Sequence, residues 1–215
     1  MIDRNGGPTQ PKLPVGWHWA RLGDAIVEAL PGFASGERDP QGTIQLRMNN
    51  VDTRGGLVWD EFIRVPANTA AIQKYQLEPG DVMFNNTNST ALVGKSALFE
   101  GYGEPIVYSN HFTRLRANTA MLEPGFLAAW LVSQWQLRTF EELCNRWIGQ
   151  SAVKNDKLLS LVLPLPPLSE QKRIVLVLRE QTAAVQKARA AAEAQLAAIN
   201  QLPAALLRRA FDGEL

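Results

Sequence analysis

Sulfur and imidazole are almost missing from this chain: one cysteine, Cys144, and two histidines, His18 and His111, in 215 residues. A lone cysteine excludes an internal disulfide and a cysteine-rich zinc site, and it suits a reducing cytoplasm. One histidine lies between Trp17 and Trp19, the other in SNHF. They supply neither a metal pair nor a nucleophile dyad, so both read as structural. Ser109, near His111, lacks the elbow that exposes a hydrolase nucleophile. No run of about 18 apolar residues is present, which argues against a membrane-spanning helix. The opening MIDRNGGPTQPKLPVGW has no apolar signal core, so the expected location is cytoplasmic rather than exported.

An excess of either charge is also missing. The 22 Lys and Arg against 21 Asp and Glu leave a net +1. Residues 1–168 hold 15 cations and 16 anions, and residues 169–215 hold 7 and 5. Neither part is a basic block, so affinity for DNA has to come from a local patch or from partners. A complete phosphate-binding loop is absent too. LVGKS resembles the end of G-x-x-x-x-G-K-[ST], but the first glycine position is held by Ser89, and nucleotide hydrolysis is set aside. No other set of residues carries catalysis, and the chain reads as a non-enzyme without a cofactor or metal of its own.

Residues 169–202 lack glycine and proline and are rich in Ala, Gln, Glu, Lys and Arg, all strong helix formers. Immediately before them, LPLPPLSEQKRIV places Pro164, Pro166 and Pro167 where the chain must stay extended. Ser169 is a helix cap in this reading, and Glu170 suits the positive end of the helix dipole. The prolines form a stiff joint between two bodies, 1–168 and 169–215.

Within the helix one row recurs every seven residues: Leu178, Val185, Ala192, Ile199, Leu206. A companion row is Ile174, Gln181, Ala188, Gln195, Leu202, apolar except at the two glutamines. This is a coiled-coil-like stripe, and polar seam residues fix register at some cost in stability. A helix roughly 50 Å long outreaches its own domain, so pairing with another helix is expected. Pro203 is expected to kink or interrupt it.

The first body reads as a compact mixed α/β domain. TIQLRMN alternates, with Ile44, Leu46 and Met48 on one face and Thr43, Gln45 and Arg47 on the other, the pattern of a half-buried strand. Strands are also expected at 81–85, 92–99 and 111–116, a helix over 123–143, and a short helix at 155–159. Phe126, Trp130, Leu137 and Phe140 are the inward positions of the longer helix. FNNTNST, at 84–90, clusters side chains that bond bases or phosphates. The same residues also make turns by bonding their own backbone, and composition leaves both readings open.

Taken together, LPVGWHWARLGDAI, LEPGDVMFNN, VGKSALFEG, SNHFTRLR, WIGQSAVKNDKLLSLVLPLPPLSEQKRIV and the terminal LLRRAFDGEL resemble one repeat unit of the specificity subunit of type I restriction-modification enzymes. The resemblance covers roughly residues 13–215, with PLPPLSEQKRIV its most specific element. It implies an α+β fold, a target-recognition domain followed by a long C-terminal coiled-coil helix. It further implies reading one half of a split double-stranded DNA site and docking methyltransferase subunits that use S-adenosylmethionine. Through them a restriction (motor nuclease) subunit joins. A full subunit of that family carries two such units. This chain has room for one, so it is expected to act as a half-subunit that self-associates or pairs with a different half. The residues singled out for DNA contact are Arg47, Asn49, Asn50, Asn86, Asn88, Ser89, Lys95 and Lys154. The competing reading is a coiled-coil adaptor that binds only protein.

Overall fold

The computed structural model describes residues 11–213, so part of the N-terminal stretch read for a signal core lies outside it. The chain divides into two compact units, the first running to Lys172 and the second starting at Arg173. Among the described residues no helix is long and apolar enough to cross a membrane.

The first unit is built from short strands in four small sheets. In chain order the early elements are β1 (His18–Arg21), β2 (Ile26–Pro31), β3 (Thr43–Leu46), β4 (Ile63–Val65) and α1 (Thr69–Tyr75). Then come β5 (Val82–Asn85), β6 (Thr87–Asn88), β7 (Ser96–Leu98), β8 (Ile106–Tyr108) and β9 (Phe112–Ala117). Helices α2 (Pro124–Gln136) and α3 (Thr139–Leu143) precede the hairpin β10 (Asn145–Trp147) and β11 (Gln150–Ala152). Last are α4 (Asn155–Leu159), β12 (Val162–Leu165) and α5 (Leu168–Phe211).

The antiparallel sheet β2-β9-β5-β7 and the smaller sheet β4-β3-β8 contribute side chains to one core. Ile44, Leu46, Met83, Ile106, Tyr108 and Phe112 all meet there with at most 1% of their surface exposed. Helix α2 packs against β5 and β7, so every residue of VMFN is buried. The buried Arg114 guanidinium ties β9 to Glu28 of β2 at 2.6 Å and to the Gln76 carbonyl at 2.7 Å. A buried cation is tolerated only with such partners.

Several expectations change in three dimensions. β3 is covered on both faces, not half-buried: Gln45 is 1% exposed and donates to the Phe33 carbonyl at 3.2 Å. Strands β4 and β8 pair its two edges, and the segment carrying Phe33 meets Gln45 on the face that alternation leaves polar. The strand expected over 92–99 shrinks to Ser96–Leu98, and residues 91–94 form a turn. Gly94 sits at φ +90°, and a Cβ there would lie 2.2 Å from the Phe140 ring, so this glycine serves packing.

The single helix expected over 123–143 is two. Arg138 adopts φ +61° and breaks it, leaving Leu137 72% exposed while Phe126, Trp130 and Phe140 are buried as expected. The break lets Phe140 turn onto Phe84, ring centroids 5.0 Å apart.

The long helix begins at Leu168, so Ser169 lies inside its first turn and is not its cap. The Pro167 carbonyl accepts from the Glu170 and Gln171 amides instead. Pro164 belongs to β12, paired only with β1, so its missing N–H breaks no second ladder. Nor does Pro203 interrupt the helix, which runs 44 residues to Phe211, about 66 Å. The ring removes one internal hydrogen bond, and the alanines and leucines that follow it favour continuation.

Candidate nucleic-acid interface

Asparagine side chains carry both donors and acceptors, and the 85–88 stretch uses them internally. The Asn85 amide donates to the Thr87 and His111 carbonyls at 3.0 and 2.8 Å and accepts from Asn88 Nδ2 at 2.6 Å. Asn86 Nδ2 donates to Thr113 Oγ1 at 3.1 Å, whose hydroxyl donates onward to Asn155 Oδ1 at 2.8 Å. Thr90 and Ser151 hydroxyls meet at 2.7 Å. These bonds weld the asparagine loop, β9 and the hairpin of β10 and β11 into one surface. The third strand of that hairpin's sheet is β6, the loop itself.

Asn86 is therefore buried, and Asn88 is half-buried with its amide engaged on Asn85 and on the Ser89 N–H. Ser89 is exposed at the tip. For Asn85, Asn86 and Asn88 the turn-building role is the one the structure shows.

Asn50 and Lys95 were expected on the DNA-facing side, and the structure corrects this. Asn50 is 1% exposed. It accepts from the Arg47 N–H at 2.9 Å and donates to the Val58 and Glu61 carbonyls at 3.0 and 2.7 Å. Met48–Asn50 is a 3-10 turn with Asn50 as its buried residue, on the same side as Ile44 and Leu46. Lys95 is 7% exposed, its ammonium donating to the Met48 and Val51 carbonyls. Burial pushes its pKa down, with the Asp52 charge acting the other way.

Arg47, Asn49, Ser89 and Lys154 do reach solvent. Arg47 lies close enough to His111 to help hold that imidazole below its ordinary pKa, burial being the larger cause. It also lines a shallow recess with Asn49, Asp60, Glu61 and Phe62. The stretches 40–51, 82–99, 105–122 and 143–155 contain no Asp or Glu, and the carboxylates beside Arg47 come from Asp60 and Glu61. Of their cations, Lys95 is buried and Arg114 and Arg116 pair with Glu28 and Asp81, which leaves Arg47, Arg146 and Lys154 reaching solvent.

Two features escaped the sequence reading. One is the hairpin, in which Trp147 opposes Gln150 across the two-residue turn Ile148–Gly149. Its signal was the polar-flanked NRWIGQ with glycine at the turn. The other is Gln171, 0% exposed in the first turn of α5. Its amide donates to the Met121 and Pro166 carbonyls and accepts from the Glu123 N–H, all at 2.8 Å. Only its place directly after the proline joint hinted at this.

The sequence profile of the type I restriction modification DNA specificity domain matches residues 14–192. A type I restriction enzyme StySPI specificity subunit from Salmonella potsdam is 26% identical over 205 residues, 94% of this chain and 44% of that protein. A putative type I restriction enzyme MjaX specificity subunit from Methanocaldococcus jannaschii is 36% identical over 109 residues, 51% of this chain and 26% of its own length. A chain solved in work on complex assembly and conformational transition of the type I R-M system superposes with TM-score 0.66 at 25% identity. That match covers 95% of this chain and 48% of the other. The HsdS subunit from Thermoanaerobacter tengcongensis shares the fold, with TM-score 0.59, 24% identity, and coverage of 95% and 47%. The present sequence thus spans less than half the length of these relatives. With most of its length under that profile, on a recognition-type α/β domain followed by a long helix, the chain belongs to the type I restriction modification DNA specificity domain family.

Proposed function

We propose that this chain reads one half of a split double-stranded DNA site and docks DNA methyltransferase subunits, as one recognition unit of a type I restriction-modification complex. The observation that carries this reading is the helix that accompanies the family domain. Leu178, Val185, Ile199, Leu202 and Leu206 are 45–66% exposed along it, with Ala192 exposed in the same row and Ile174 half-buried. Gln181, Ala188 and Gln195 of the companion row are exposed as well. A heptad row left uncovered over this length calls for another helix. A second copy supplies one with two-fold symmetry, and two identical readers related that way select a palindromic pair of half-sites with an unread spacer.

Arg47, Asn49, Ser89 and Lys154 are the DNA contacts in this reading. Asn50, Asn86, Asn88 and Lys95 shape the loops that present them. Methyl transfer, and the S-adenosylmethionine it consumes, belong to the methyltransferase partner, and a restriction subunit joins through that partner.

The test is base-modification sequencing of genomic DNA from cells expressing the cognate methyltransferase with and without this chain. A new split palindromic site is expected. A split asymmetric site replaces self-pairing by a different second half. An active methyltransferase that gains no site overturns DNA reading and leaves a protein-only adaptor.

A further inference from the structure

Cross-strand partners in an antiparallel pair point to the same side, so the register of β10 and β11 sorts their side chains. Arg146 and Ser151 are partners and turn toward the body. Arg146 donates to the Glu141 carbonyl at 2.8 Å, and the Ser151 hydroxyl bonds Thr90. Asn145, Trp147 and Gln150 therefore occupy the opposite, solvent face. At the tip, Gly149 takes φ +78°, which closes the turn and drives Ile148 outward. Trp147 is left 60% exposed and Ile148 fully so.

A tryptophan and an isoleucine side by side at the end of a rigid ribbon are costly to hydrate, and nothing in the unit covers them. Their surroundings indicate what does. The ribbon's third strand is the asparagine loop, and the chain from Leu143 to Asn155 contains two cations, Arg146 and Lys154, and no carboxylate. Polar amides flank the apolar pair on the same face. A tip without carboxylates, with polar amides beside it and the asparagine loop as its third strand, suits a polyanion with an apolar interior. A two-stranded ribbon fits the major groove, and apolar side chains wedge between base steps from the minor groove.

We infer that Trp147 and Ile148 form an apolar wedge that enters a groove of duplex DNA and packs on its bases, with Asn145 and Gln150 placed to bond base edges beside it. This rests on the DNA-reading function proposed above.

The experiment uses the complex with the methyltransferase and a duplex oligonucleotide carrying the site mapped by methylation sequencing. Trp147→Ala and Ile148→Ser touch only exposed positions, so melting temperature and co-purification with the methyltransferase should match wild type. Affinity for the site should fall about ten- to a hundredfold for Trp147→Ala, in the range of one aromatic–base contact. Gln150→Ala should relax preference at a single base position while leaving the others intact. Full affinity in Trp147→Ala, with wild type still imposing its site, overturns the wedge alone. Loss of methyltransferase co-purification assigns the tip to a protein partner and overturns it equally. If wild type imposes no site, the DNA-reading function and the wedge fall together.

Discussion

Asn49 and Asn50 are neighbours in sequence and opposites in environment. Asn49 is exposed, whereas Asn50 is enclosed and holds three backbone groups. Asn50→Ala strands those groups without solvent, an expected loss of about 3 kcal/mol and a Tm lower by roughly 6–12 °C for a chain of this size. Asn49→Ala should leave the melt unchanged and alter only DNA preference. Thermal unfolding of the two variants side by side separates bracing from reading.

His111 makes a second prediction, on pH. Burial, with help from Arg47, lowers its folded pKa below the ordinary 6.5, so between those two values the unfolded chain holds a proton that the folded chain refuses. Stability therefore falls as pH drops below 6.5, until the folded pKa is reached. His111→Gln should flatten the urea-midpoint profile in that window. An equally steep profile in the variant would assign the slope to other groups.

At the scale of elements, glycine and proline act through close approach. Gly94 combines φ +90° with a ring 2.2 Å from where its Cβ would stand. Gly94→Ala must move α3 or strain the turn, an expected loss above about 2 kcal/mol, readable as a shift in urea midpoint. The apparent phosphate loop is a packing turn.

The joint into α5 depends on more than its prolines. Gln171 bonds the Met121–Glu123 loop and the Pro166 carbonyl at once, so the first helical turn belongs to the recognition domain. Gln171→Leu keeps the volume but orphans three groups. It should broaden the range of spacer lengths methylated in a library of split sites, more than it lowers affinity at the preferred spacer. An unchanged spacer range would show that the prolines suffice.

For the molecule as a whole, the exposed row on α5 is where the proposed helix pairing is tested. Placing Glu at both Leu178 and Val185 puts charge into any helix–helix seam without touching the recognition domain. Sedimentation should show self-association of the wild-type chain and a monomer for the double variant. A wild-type chain that stays monomeric, together with an asymmetric methylated site, would mean that a different half completes the subunit. Gln181→Leu with Gln195→Leu tests register in the same seam, and an unchanged spacer preference would remove that role from the two glutamines.

The sequence by itself determined the long helix and the heptad row along it. Each of these is a local pattern, a matter of propensity and periodicity within one stretch of chain. It also carried the family resemblance, because LPLPPLSEQKRIV and its companions are contiguous motifs. Tertiary structure alone decided which polar side chains face water. Asn50 and Asn49 have the same chemistry, and only the fold brings the Val58 and Glu61 carbonyls to Asn50. Lys95 reads as a surface cation until Met48 and Val51, over forty residues earlier, offer it their carbonyls. Gln45 and Gln171 are buried by neighbours distant in sequence. Burial of a polar group is a property of its partners, and here those partners are brought together only by the fold.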